Sequence, residues 1–139
     1  MRQTSIFAVL MLFSAAASAT QAVTNADSYS AVAYFTSGLE NGEPVNRIDS
    51  AHIGQDVIVL YVHWDNLGLR AHRTEVRIYD PDGEFVGKVR NTIGPGNGRF
   101  STYYFYRPGP DDTPGDWTYK MFVDGRDAFE ARIPVLAAD

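Results

Sequence analysis

Residues 99–125 read RFSTYYFYRPGPDDTPGDWTYKMFVDG, and their alternation decides the fold. Successive side chains of an extended strand point to opposite faces. Phe100, Thr102, Tyr104 and Tyr106 therefore share one face, and Ser101, Tyr103 and Phe105 share the other. In the second half, Trp117, Tyr119, Met121 and Val123 form one face, with Thr118, Lys120 and Phe122 opposite. Between the two runs lies a Pro/Gly/Asp connector, residues 108–115, built from turn-forming residues. The stretch predicts two aromatic strands and a rim loop. Asp124-Gly125 then predicts a tight hairpin turn into a further strand over 128–135 (AFEARIPV).

Working outward, the same periodicity recurs. Residues 56–64 (DVIVLYVHW) are apolar on both faces and rich in β-branched and aromatic residues, as in a central strand buried on both sides. Residues 73–79 (RTEVRIY) alternate, and Asp80-Pro81-Asp82-Gly83 is a turn that returns the chain as 84–90 (EFVGKVR), predicting one hairpin. Residues 29–35 (YSAVAYF) predict a first strand, 38–44 a turn around Asn41-Gly42, 45–48 a short edge strand and 49–55 a loop. The sequence has no stretch of helical period longer than a turn or two. Counted along the chain, eight short strands emerge, with a turn every 8–12 residues. The pattern predicts an all-β chain: a single antiparallel β-sandwich of immunoglobulin-like type with seven to eight strands, occupying residues 29–136.

The N-terminus has a different character. Arg2 precedes an apolar run (IFAVLMLFSAAA, residues 6–17), and Ala17-Ser18-Ala19 has the small-x-small pattern of a signal-peptidase site. Residues 1–19 are expected to be a cleaved signal peptide and 20–28 a disordered leader, giving a periplasmic or secreted domain. The run is too short to span a bilayer of roughly 30 Å as a helix, so no membrane anchor is expected after cleavage. The chain contains no cysteine, which excludes disulfide staples. Its formal charge is −5. An acidic chain without a basic stripe argues against nucleic acid as a partner.

At YDPDG (residues 79–83) and PGDWTYKMFVDG (residues 114–125) the chain resembles the immunoglobulin-like and macroglobulin-like β-sandwich domains of bacterial envelope proteins. In those domains a DP-x-G hairpin is followed by a G-x-W or G-x-Y strand. The resemblance covers most of residues 55–135. It implies an antiparallel sandwich with an adaptor or accessory role and no shared catalytic residues.

The residues that could carry chemistry were weighed on type and spacing. No G-x-S-x-G elbow is present, so a serine triad would have to be assembled from His52, His63 or His72. His63 and His72 flank one short connection, and with Asp65 they would make a weak zinc or copper site if their strands paired. Asp111, Asp112 and Asp116 are acidic but lack the spacing of a calcium loop. The expectation is no metal, no cofactor and no enzymatic activity. The aromatic residues remain. Tyr103, Tyr104, Tyr106 and Trp117 are the candidate ligand-binding set, because tyrosine supplies contact area with little entropy loss. They point to a binding or accessory module with a protein or polysaccharide partner in the envelope. The alternatives are a carbohydrate-binding module using an exposed aromatic face and a small metal-binding protein.

Overall fold

The computed structural model describes residues 19, 22–25, 29–66, 70–95 and 99–138. The expected signal segment lies outside these residues except for Ala19. In chain order the strands are β1 (Ala22–Asn25), β2 (Ser30–Thr36), β3 (Leu39–Glu40), β4 (Glu43–Pro44), β5 (Ala51–His52), β6 (Ile58–Asp65), β7 (His72–Tyr79), β8 (Phe85–Ile93), β9 (Arg99–Tyr106), β10 (Gly115–Val123) and β11 (Arg126–Leu136). The described residues contain no helix.

The strands form a four-stranded sheet ordered β1-β2-β6-β9, a five-stranded sheet ordered β5-β11-β10-β7-β8, and the small β3–β4 hairpin. All pairings are antiparallel except the short β5–β11 contact. The two aromatic strands of residues 99–125 therefore do not pair with each other. β9 pairs with β6, and β10 lies between β7 and β11 in the other sheet. The loop joining them crosses from sheet to sheet. It is pinned at Pro108, whose carbonyl accepts the Gly54 N–H, and at Thr113, whose carbonyl accepts the Trp117 indole N–H at 2.8 Å.

One core lies between the sheets. Ala31, Ala33 and Phe35 of β2 and Ile58, Leu60, Val62 and Trp64 of β6 face Val76 and Ile78 of β7, Trp117, Tyr119 and Met121 of β10, and Phe129, Ala131 and Ile133 of β11. Aromatic contacts join the layers: Phe35 meets Tyr119 edge-on at 5.1 Å, Trp64 meets Phe129 at 6.1 Å and Tyr106 meets Trp117 at 5.5 Å. Such pairs contribute beyond the area they bury.

The Asp80–Gly83 turn forms as expected. Asp80 Oδ1 accepts the N–H groups of Asp82 and Glu84, and Gly83 takes the φ of 82° that this turn requires. Gly115, with φ of 136°, opens β10 directly over this turn, and a Cβ there would sit 2.7 Å from Pro81 Cγ. A larger residue cannot fit without moving the turn.

Three expectations need correction, while the turn at Asn41-Gly42 forms as expected. Residues 22–25 of the supposed leader form β1 and pair with β2, because Ala22 closes the edge of the core. Residues 45–48 form no strand; Asn46 instead caps the end of β2 through Ser37 N–H, and the Ile48 N–H bonds the Phe35 carbonyl. Strand pairing begins earlier, as the β3–β4 hairpin across Asn41 and Gly42, both at positive φ. The 49–55 loop contains β5, held parallel to the end of β11.

Trp117→Ala should lower stability by about 3–5 kcal/mol in urea unfolding, as truncation of a fully buried aromatic does. A loss below about 1 kcal/mol would contradict its core placement. Tyr119 is buried, and its hydroxyl has no hydrogen-bond partner among the described residues. Removing an unpaired buried hydroxyl relieves a desolvation penalty. Tyr119→Phe should therefore leave stability unchanged or raise it by about 1 kcal/mol, whereas a clear loss would reveal a bonded hydroxyl.

Candidate functional site

The four aromatic residues proposed as a binding set do not form one surface. Tyr104 and Trp117 are core residues, 1% and 0% exposed. The Tyr104 hydroxyl is bonded to Thr74 Oγ1 at 3.0 Å across the two sheets. Tyr106 packs on Trp117 and donates its hydroxyl to Asp112 at 2.9 Å. Burial and that carboxylate push the Tyr106 phenol up to about 12. Asp112 is also fixed by the Gly109 N–H, so it serves the loop as an internal acceptor. Parity explains the outcome: Tyr104 and Tyr106 share the inward phase of β9, and only Tyr103 has the outward one.

Tyr103 belongs to a tyrosine row across the outer face of the four-stranded sheet. Tyr34, Tyr61 and Tyr103 are register partners on β2, β6 and β9, with ring centroids 5.2 and 5.7 Å apart. The protein covers much of this row itself. Arg47 lies 4.3 Å over the Tyr34 ring, and the Tyr103 hydroxyl donates to the Gly42 carbonyl at the tip of the β3–β4 hairpin. Burial raises the pKa values of Tyr34 and Tyr103. Phe105, 57% exposed, is the large apolar side chain left open on this face of β9.

Beside the row, His63 Nδ1 lies 3.3 Å from Ser101 Oγ and its Nε2 lies 3.5 Å from Asp65. The residue types are those of a serine triad, and Ser101 Oγ is shared with the Tyr61 hydroxyl at 3.0 Å. The supposed His63–His72 pair is separated. His63 lies on the outer face of one sheet, whereas His72 lies within the other and bonds Asp124 at 2.7 Å. His52 bonds Asp56. Among the described residues, no group of three or more potential ligands is placed to hold a metal ion.

A charged groove lies elsewhere, on the outer face of the five-stranded sheet. The groove, of about 830 Å³, is lined by Arg73, Glu75, Arg77, Arg90, Thr92 and Phe122, among others. Register builds it. Lys120 of β10, Arg77 of β7 and Lys88 of β8 are direct neighbours across three strands. The next row is Phe122, Glu75 and Arg90, and beyond it Arg73 faces Thr92. Where the three strands pair, the outward positions hold five cations (Arg73, Arg77, Lys88, Arg90 and Lys120) and one carboxylate, Glu75, while on the next strand Glu130 of β11 stands directly opposite Lys120. Like charges on directly opposed residues destabilise a sheet. The row Lys120–Arg77–Lys88 is a local feature that the net charge does not reveal. The row forms only when three strands are laid side by side.

Glu75 organises the groove. Its two carboxylate oxygens each accept one guanidinium Nε–H, from Arg90 and from Arg77, both at 2.6 Å. These bonds hold the Glu75 carboxyl below the ordinary glutamate range. Arg77 also lies 4.5 Å over the Phe122 ring, and Lys120 lies 5.2 Å over Tyr79. The rings lay the cations flat along the face. Arg73, Lys88 and Lys120 remain exposed.

Comparison of the chain with protein-family models finds no match, and comparison with curated proteins finds none either.

The lowered Glu75 pKa fixes a pH dependence. A carboxylate depressed on folding contributes its stability above its ordinary value and loses it as pH falls through the folded value. Glu75→Gln should therefore lower the melting temperature at pH 7. The gap to wild type should close as pH is taken below the ordinary value of 4.5. An equal gap at pH 7 and pH 2.5 would contradict the role of the carboxylate.

Proposed function

We propose that the chain is a non-enzymatic binding module whose ligand is anionic and sits on the outer face of β10, β7 and β8. The observation that carries this reading is the row Lys120–Arg77–Lys88 above the Glu75 clamp. A chain of net charge −5 lines a groove of about 830 Å³ with Arg73, Arg77 and Arg90 and sets Lys88 and Lys120 on the same face, although repulsion between the opposed cations disfavours the pairing of the strands that carry them. Local rules of this kind are broken mainly at functional sites. An anion lying on the row would offset the repulsion, and arginine's fixed fork of donors suits carboxylate recognition.

The finer readings of the sequence belong to the same proposal. The two facing sheets support an immunoglobulin-like sandwich related to envelope accessory domains, and the N-terminal pattern supports export to the periplasm or beyond. The partner is then a component of the envelope or its surroundings.

Arg73 and Lys88 lie outside the Glu75 ion pairs, so Arg73→Gln/Lys88→Gln should fold as wild type. In calorimetric titration with polygalacturonate at low salt, the wild-type chain should bind, with affinity falling as salt is raised. The double variant should bind about tenfold more weakly. Undiminished binding by the variant, or no binding by the wild type, would overturn the proposal.

A further inference from the structure

The exposed ring beside the cations narrows the class of ligand. This inference rests on the anion-binding reading above. Phe85 is the register partner of Tyr79, in the row next to Arg77 and Lys88, and is 55% exposed. A β-bulge at the Ile78/Tyr79 step places Phe85 opposite Tyr79, and the two rings meet edge-on at 5.9 Å. Lys120 lies over the Tyr79 ring and Arg77 over the Phe122 ring. Phe85 takes no such cation in the described contacts, and its ring is left open beside a line of positive charge.

We propose that this face binds an acidic polysaccharide, a chain of sugars bearing carboxylates, with one sugar ring packed on Phe85 beside the cation row. Three features fit. The cations stand on three neighbouring strands, β10, β7 and β8, so a chain that repeats its carboxylates can meet more than one of them. The face of an aromatic ring carries partial negative charge and attracts the polarised C–H bonds of a pyranose, as it attracts cations. A groove open along the sheet accommodates a polymer, whereas a small ligand is mostly enclosed by its site. Single-stranded nucleic acid fits less well. It uses several aromatic platforms in succession, and this face leaves one open.

Phe85→Ala tests the sugar contact separately from the charge. Wild type and variant are titrated with polygalacturonate and with inorganic polyphosphate, a polyanion without sugar rings. The expected result is a loss of about fivefold to tenfold for polygalacturonate, with polyphosphate binding unchanged and the melting temperature retained. Equal effects on both polymers, or none on either, would overturn the polysaccharide inference while leaving the anion site standing. A single-stranded DNA oligonucleotide bound more tightly than polygalacturonate would also overturn it. Failure of the wild type to bind either polyanion would remove the anion site itself.

Discussion

Ring-to-ring packing across the inner faces is the constraint on which the rest of the structure depends. Phe35 against Tyr119, Trp64 against Phe129 and Tyr106 against Trp117 span the gap between the sheets, and the Thr74–Tyr104 hydrogen bond ties them where polar groups must be buried. Each ring fixes the phase of its strand. A slip of one residue would send Trp117, Tyr119 and Met121 outward and bring Thr118, Lys120 and Phe122 into the core. No disulfide backs up this arrangement, since the chain has no cysteine.

With the inner phase fixed, the outer faces follow, and they differ. On the four-stranded sheet the outward positions of β2, β6 and β9 form a tyrosine row, and the β3–β4 hairpin and Arg47 fold over it. Its polar groups bond one another: Ser101 serves both Tyr61 and His63, and Asp65 serves both His63 and Arg99. On the five-stranded sheet the outward positions of β10, β7 and β8 bring cations together with a single carboxylate between two arginines. The first face satisfies itself. The second leaves Arg73 and Lys88 outside its Glu75 ion pairs and is the proposed binding surface.

The sequence carried most of the architecture and little of the site. The central strand was readable from the apolar run of residues 57–62, and both the Asp80–Gly83 and Asp124–Gly125 hairpins from their turn residues. Parity also assigned correct faces to β9 and β10, but not which face of each pointed inward. Tyr104, Tyr106 and Trp117 were therefore grouped with Tyr103 as one surface, although three of the four lie on inward phases. The cationic row was hidden for a different reason. Lys88, Arg77 and Lys120 are far apart in the chain, and the order β10-β7-β8 that joins them is a product of sheet topology, not of any local pattern. A weak signal existed in RTEVRIY and EFVGKVR, whose outward positions include Arg73, Arg77, Lys88 and Arg90, against an acidic whole. The separation of His63 from His72 has the same origin, because their short connection passes between sheets instead of closing a hairpin.

The central claim is that the outer face of β10, β7 and β8 takes the ligand. Mapping amide chemical shifts by two-dimensional ¹H–¹⁵N NMR during titration with polygalacturonate tests it most directly. The account predicts perturbations concentrated in His72–Tyr79, Phe85–Ile93 and Gly115–Val123, with the amides around Tyr34, Tyr61 and Tyr103 unmoved. Perturbations confined to β2, β6 and β9, with the groove silent, would contradict it.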